Sequence, residues 1–72
     1  MAGKSVHVIP SGQGWAVEEG GRQLSTHGTQ AEAERVGREE AIRAQAEVVV
    51  HDRSGQIERK NSYGNDPRSS KG

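Results

Sequence analysis

The stretch Thr29-Gln30-Ala31-Glu32 constrains this chain more than any other. A Thr hydroxyl at the N-cap and a Glu three positions on satisfy each other's backbone N–H groups and open a helix. Residues 30 to about 46 continue in Ala, Glu, Arg and Gln, all good helix formers, with Gly37 inside and no Pro. Ala33, Val36, Gly37, Ala41 and Ala44 recur at helical spacing and make one face of small residues, which lets a helix backbone lie close to a sheet. Gly37 reads as the close-approach position, at a propensity cost of about 1 kcal/mol relative to Ala. Ile42 lies off the stripe, on a partly covered flank or at a contact with another chain.

Strand patterns flank this helix. Val6-His7-Val8-Ile9 is short and β-branched and stops at Pro10, which cannot donate to a ladder. Ser11-Gly12-Gln13-Gly14 reverses the chain, and Trp15 and Val17 resume with period-two spacing. Gly20-Gly21 is a two-residue hairpin connection, because both central positions of a type I′ turn require positive φ. Residues 22–26 return as a weaker third strand with Leu24 as its sizeable apolar residue. After the helix, Val48-Val49-Val50-His51 is too β-branched to remain helical. Asp52-Arg53-Ser54-Gly55 then fits a type I turn closing on a left-handed Gly, and residues 56–60 make the fifth strand. The order β-β-β-α-β-β predicts a single small α+β domain, an antiparallel sheet with one helix packed on one face.

Composition limits what such a domain can do. At 72 residues, 29% hydrophobic and without Cys, the chain has room for one thin core and no disulfide or cysteine-rich zinc site. The expected core is Val6, Val8, Trp15, Val17, Leu24, Val36, Val48 or Val49, Val50 and Ile57. Its marginal size favours a second copy as a stabilising partner. Alternation leaves His7, Ile9, Ala16, Val49 and His51 as the candidate interaction surface on the sheet's other face, or an edge strand as the alternative. The expected partner is accordingly a homodimer mate or another protein. No apolar run reaches the roughly 18 residues of a membrane span, and no signal-peptide pattern is present, so the expectation is a cytoplasmic protein away from the membrane. Residues 1–4 and 68–72 read as flexible ends around a domain at 5–67.

Four blocks, Gly14-Trp15-Ala16-Val17, residues 25–33 from Ser25-Thr26-His27-Gly28 into the helix, residues 49–57 from Val49-Val50-His51 to Gln56-Ile57, and Ser62-Tyr63-Gly64-Asn65-Asp66-Pro67, occur in this order. Together they resemble the small prokaryotic family catalogued as domain of unknown function 2188. The resemblance spans Val6 to Pro67. It implies one intact domain that includes the Tyr63 segment, with Tyr63 packed back on it, and it carries no catalytic or ligand-binding residue.

Chemistry-bearing motifs are sparse. His7, His27 and His51 lie in or beside strands without the close spacing of a metal motif, so no metal and no cofactor is expected. His27 precedes a helix N-terminus, where N–H groups attract anions, yet organising the turn accounts for it and Thr29. Ser25, Thr26 and His27 adjoin in sequence, but neighbouring strand residues point to opposite faces, and the pairs Glu18-Glu19 and Glu39-Glu40 fit a hairpin end and a solvated helix face. No nucleotide fingerprint occurs. No catalytic residue is therefore assigned, and a non-enzymatic interaction module is the leading expectation. The second is a weak nucleic-acid binder using Arg53, Arg59, Lys60 and Arg68, less favoured because 10 Lys+Arg balance 10 Asp+Glu.

Overall fold

A computed structural model describes residues 5–63. The expected flexible ends, Arg68 and the boundary at Pro67 lie outside these residues. Strands β1 (Ser5–Ser11), β2 (Gly14–Glu19) and β3 (Arg22–His27) precede helix α1 (Gln30–Ala44), and β4 (Glu47–His51) and β5 (Ile57–Ser62) follow it. The element order and α+β class are those predicted. One sheet contains all five strands in the order β3-β2-β1-β4-β5.

Three of its pairings are antiparallel, whereas β1 and β4 run parallel, with Val6 opposite Val48 and Val8 opposite Val50. The expectation of an antiparallel sheet thus holds for three pairings of the four. The parallel pair follows from the helix: α1 carries the chain back along the sheet, so β4 starts at the end where β3 and β1 start. Gly20 and Gly21, at φ 63° and 81°, close the β2–β3 hairpin as the sequence predicts.

Thr29 caps α1, its hydroxyl oxygen accepting the Glu32 N–H at 3.1 Å. The helix ends at Gln45, which adopts φ 56° while the Ala46 N–H reaches back to the Ala41 carbonyl at 2.8 Å. Ala33, Gly37 and Ala41 are buried against the sheet, with Val36 and Ala44 partly covered. A Cβ on Gly37 would stand 3.0 Å from Val8 Cγ2. The helix therefore rests on the valine layer at the position the sequence singles out.

Val6, Val8, Trp15, Val17, Val48 and Val50 face the helix and form the core with Ala33, Ala41 and Ala46. This resolves the choice within the fourth strand: Val48 and Val50 enter the core and Val49 lies on the opposite face. Leu24 and Ile57 stay outside, 41% and 59% exposed. Each belongs to an edge strand whose pairing is bulged, Leu24 being skipped between Val17–Ser25 and Glu18–Gln23. In the other edge pairing, Ile57 stands opposite His51 and thus away from the helix. Tyr63 packs on the core, its N–H donating to the Ala46 carbonyl at 2.9 Å.

Candidate functional site

Two regions bring chemically capable side chains together. The first is the sheet face that α1 does not cover. Alternation along β1, β2 and β4 places His7, Ile9, Ala16, Val49 and His51 there, as expected. Pairing adds Thr26 opposite Ala16, Ile57 opposite His51 and Lys60 opposite Val49. Ala16 and Val49 are themselves 0% and 4% exposed, because larger neighbours flank them. What the face presents is therefore its two imidazoles, Ile9 and Ile57, together with Glu18 opposite His7, Thr26 and Lys60.

The imidazoles meet. Val49 is opposite His7 in the parallel pair, so His51, one pleat further on, is its diagonal neighbour on the same face. The rings stack with centroids 5.2 Å apart, and His7 Nδ1 lies 3.0 Å from His51 Nε2. His51 Nδ1 lies 3.1 Å from the Gly55 carbonyl oxygen. A carbonyl only accepts, so His51 Nδ1 carries the proton and, in the neutral ring, Nε2 presents its lone pair to the Nδ1–H of His7. The His51 carbonyl is also engaged, accepting from Gln30 Nε2 at 3.1 Å.

The second region is the sheet end where the β1–β2 turn, the start of α1 and the β4–β5 loop converge. Arg53 donates to the carbonyls of Gln13 at 2.9 Å and Gly14 at 3.3 Å. Its guanidinium lies 5.0 Å from the Trp15 ring centroid and roofs the indole. Asp52 accepts from the Ser54 hydroxyl at 2.7 Å and from the backbone N–H groups of Ser54 and Gln56, both at 3.0 Å. These bonds, the Ser54 hydroxyl foremost, hold the Asp52 carboxyl below the usual carboxylate range. Gly55, at φ 94°, closes the loop with its N–H on the Asp52 carbonyl at 2.9 Å, as the turn sequence predicts. Gln30 also donates to Glu58 Oε1 at 2.9 Å, Glu58 being the residue skipped at the β4–β5 bulge.

A shallow open depression at this end is lined by Ser11, Gln13, Gly14, Trp15, Thr26, His27 and Gly28. Beside it Ser25 Oγ and His27 Nε2 are 2.9 Å apart. Sequence reasoning missed this pair because it compared adjacent residues, whereas residues two apart on a strand share a face. Among the described residues no partner holds His27 Nδ1, so the pair lacks the orienting third group of a nucleophilic triad. Nor do the described residues bring together three His, Cys, Asp or Glu side chains able to hold a metal.

Three of the basic residues suggested for nucleic acid, Arg53, Arg59 and Lys60, are engaged within the chain, and Arg68 lies outside the described residues. Arg53 holds the turn and Trp15, Arg59 pairs with Glu34 and Glu58, and Lys60 lies 3.7 Å from Glu47. Turning any of them to a phosphate replaces an existing contact. No helix of the described residues is long and apolar enough to cross a membrane.

Fold and faces together define a small α+β domain whose mixed sheet is roofed on one side by a single helix. The chain belongs to the family described as "Uncharacterized protein conserved in bacteria (DUF2188)", which it matches over residues 6–63. No curated protein and no solved structure matches it.

Proposed function

We propose that this protein is a non-enzymatic interaction module whose uncovered sheet face packs against the same face of a second copy. The observation that supports this reading is the one-sided cover: α1 lies on one face of a five-stranded sheet, and the opposite face carries His7, Ile9, His51 and Ile57 with no element over them among the described residues. Edge pairing is the weaker route, since both edge strands are bulged against their neighbours and β5 carries Arg59 and Lys60.

Area and charge fit a weak symmetric dimer. Five strands about 4.8 Å apart, each about six residues at 3.3 Å, give roughly 480 Å² of flat face per copy. Two copies bury roughly 1,000 Å², the lower limit for a specific interface. Zero formal net charge imposes no repulsion between copies. Sedimentation equilibrium from micromolar to millimolar protein tests the reading. A monomer–dimer equilibrium that Ile57→Lys and Ile9→Lys weaken supports it, whereas an unchanging monomer mass across that range overturns it.

A further inference from the structure

We infer that His7 and His51 form a two-imidazole chelate for a divalent late transition ion that accepts a tetragonal coordination shell, of the Cu2+ or Ni2+ class. The inference stands whether or not the sheet face pairs two copies.

Geometry carries the argument. Metal–imidazole bonds run about 2.0–2.1 Å. Two ring nitrogens 3.0 Å apart, each at that distance from one ion, subtend about 95° at it. That is the angle between neighbouring ligands of a square-planar or octahedral shell, whereas a tetrahedral pair needs the nitrogens about 3.3 Å apart. The preference for this class of ion comes from the ligands: nitrogen donors bind Cu2+ most tightly among the first-row divalent ions, and a tetragonal ion keeps water at the positions two imidazoles leave open.

The surroundings supply what such a ligand needs. A metal-bound histidine ordinarily donates its other ring N–H to a carbonyl, which fixes the tautomer and raises the basicity of the binding nitrogen. His51 has this arrangement, with Nδ1–H on the Gly55 carbonyl and Nε2 turned toward His7. Its backbone is pinned by Gln30, so ring and main chain are both held. His7 offers the second lone pair by moving its proton from Nδ1 to Nε2, a change of tautomer with no net loss of charge. The ion then sits to one side of the line between the two nitrogens, about 2 Å from each, and the hydrogen bond between the rings is given up. Lys60, the cation opposite Val49 on the same face, is drawn toward Glu47. Water completes the shell in a single copy, and the matching pair of a second copy supplies two more nitrogens where the faces meet.

The test uses the full chain at pH 7.5 and two readouts. With substoichiometric Cu2+, paramagnetic broadening should erase the ring proton signals of His7 and His51 while His27 keeps its own, a measurement that needs no variant. In Ni2+ titration calorimetry, His7→Gln and His51→Gln should each weaken binding at least tenfold and His27→Gln leave it unchanged, with circular dichroism confirming the fold of every variant. One ion per chain and one per two chains both support the chelate. Equal broadening of all three histidines, or Ni2+ affinity untouched by either substitution, overturns it.

Discussion

Replacing Gly37 with Ala tests how closely the helix sits on the sheet. In a helix interior, Ala is better than Gly by about 1 kcal/mol, so the substitution should stabilise an exposed helix by that amount. Here the added Cβ would stand 3.0 Å from Val8 Cγ2, 3.5 Å from Val48 Cγ2 and 3.6 Å from Val6 Cγ1. Only the first contact is too short, but Val8 is fully buried and β-branched, so rotation about χ1 gives little relief. Inserting a methyl into a filled core costs roughly 1–3 kcal/mol. Taking about 2 kcal/mol for one tight contact and subtracting the propensity gain leaves a net loss of about 1 kcal/mol. For a domain of this size that lowers Tm by roughly 4–8 °C. Urea unfolding followed by helical circular dichroism and Trp15 fluorescence measures it. The difference between Arg38→Ala and Arg38→Gly, at the neighbouring exposed position, calibrates propensity in the same helix. In a Val8→Ala background the clash disappears, and Gly37→Ala should then stabilise. A stabilisation by Gly37→Ala in the otherwise unchanged protein equal to the Arg38 calibration would refute the close approach.

Three further outcomes follow from the sheet end and the helix terminus. Arg53→Ala should cost about 1–2 kcal/mol and shift Trp15 emission to the red as water reaches the ring; Arg53→Lys should recover only part of this, because an ammonium cannot bridge two carbonyls and stack together. Unchanged emission in Arg53→Ala argues against the lid. Gln45→Gly should raise stability by roughly 0.5–1 kcal/mol in thermal unfolding, since Gln45 holds φ 56° and Gly adopts that conformation without a Cβ penalty; a loss of stability counts against the left-handed terminus. Asp52 is held below its ordinary value of 3.8, so its share of stability is complete above that pH and declines as pH falls through the lower folded value. Acid titration of unfolding should therefore show a shallower loss below about pH 4 in Asp52→Asn than in the unsubstituted chain, and equal slopes would remove the assignment.

What the residues disclose in one dimension, and what they do not, divides along physical lines. Gly20-Gly21, the Thr29 cap and the Asp52–Gly55 turn are local, each set by backbone geometry within a few residues, and all three stand where the sequence puts them. Strand neighbours are not local. Alternation assigns Val6 and Val8 to a face but not β4 to the flank of β1, and the parallel register comes only with the helix crossover. The valine run hides its own phase, because Val48, Val49 and Val50 are all buried in a strand with partners on both sides. Leu24 and Ile57 read as core by hydrophobicity and are displaced by edge bulges, which leave no plain signature in composition. For the histidines, sequence phase places His7 and His51 on one face, while their 3.0 Å approach depends on the β1–β4 register, 44 residues apart along the chain. The Arg53–Trp15 contact has the same origin: only a parallel β1–β4 pair brings the β4–β5 loop beside the β1–β2 turn.

This shared origin links the stability of the sheet to the chemistry of its uncovered face. The chain has no cysteine, and β5 is exposed along its whole length, so hydrophobic burial alone holds the last hairpin weakly. Polar ties from the loop end compensate. Arg53 fastens the hairpin to the first turn, Gln30 fastens it to the helix start through the His51 carbonyl and Glu58, and Asp52 shapes the loop between. The loop Asp52 shapes also carries the Gly55 carbonyl that fixes the His51 ring. Loosening any tie should therefore act on the imidazole pair before it unfolds the domain. Arg53 makes no hydrogen bond or ring contact with either imidazole, yet Arg53→Ala should change the His51 ring resonances at temperatures where circular dichroism still reports an intact sheet.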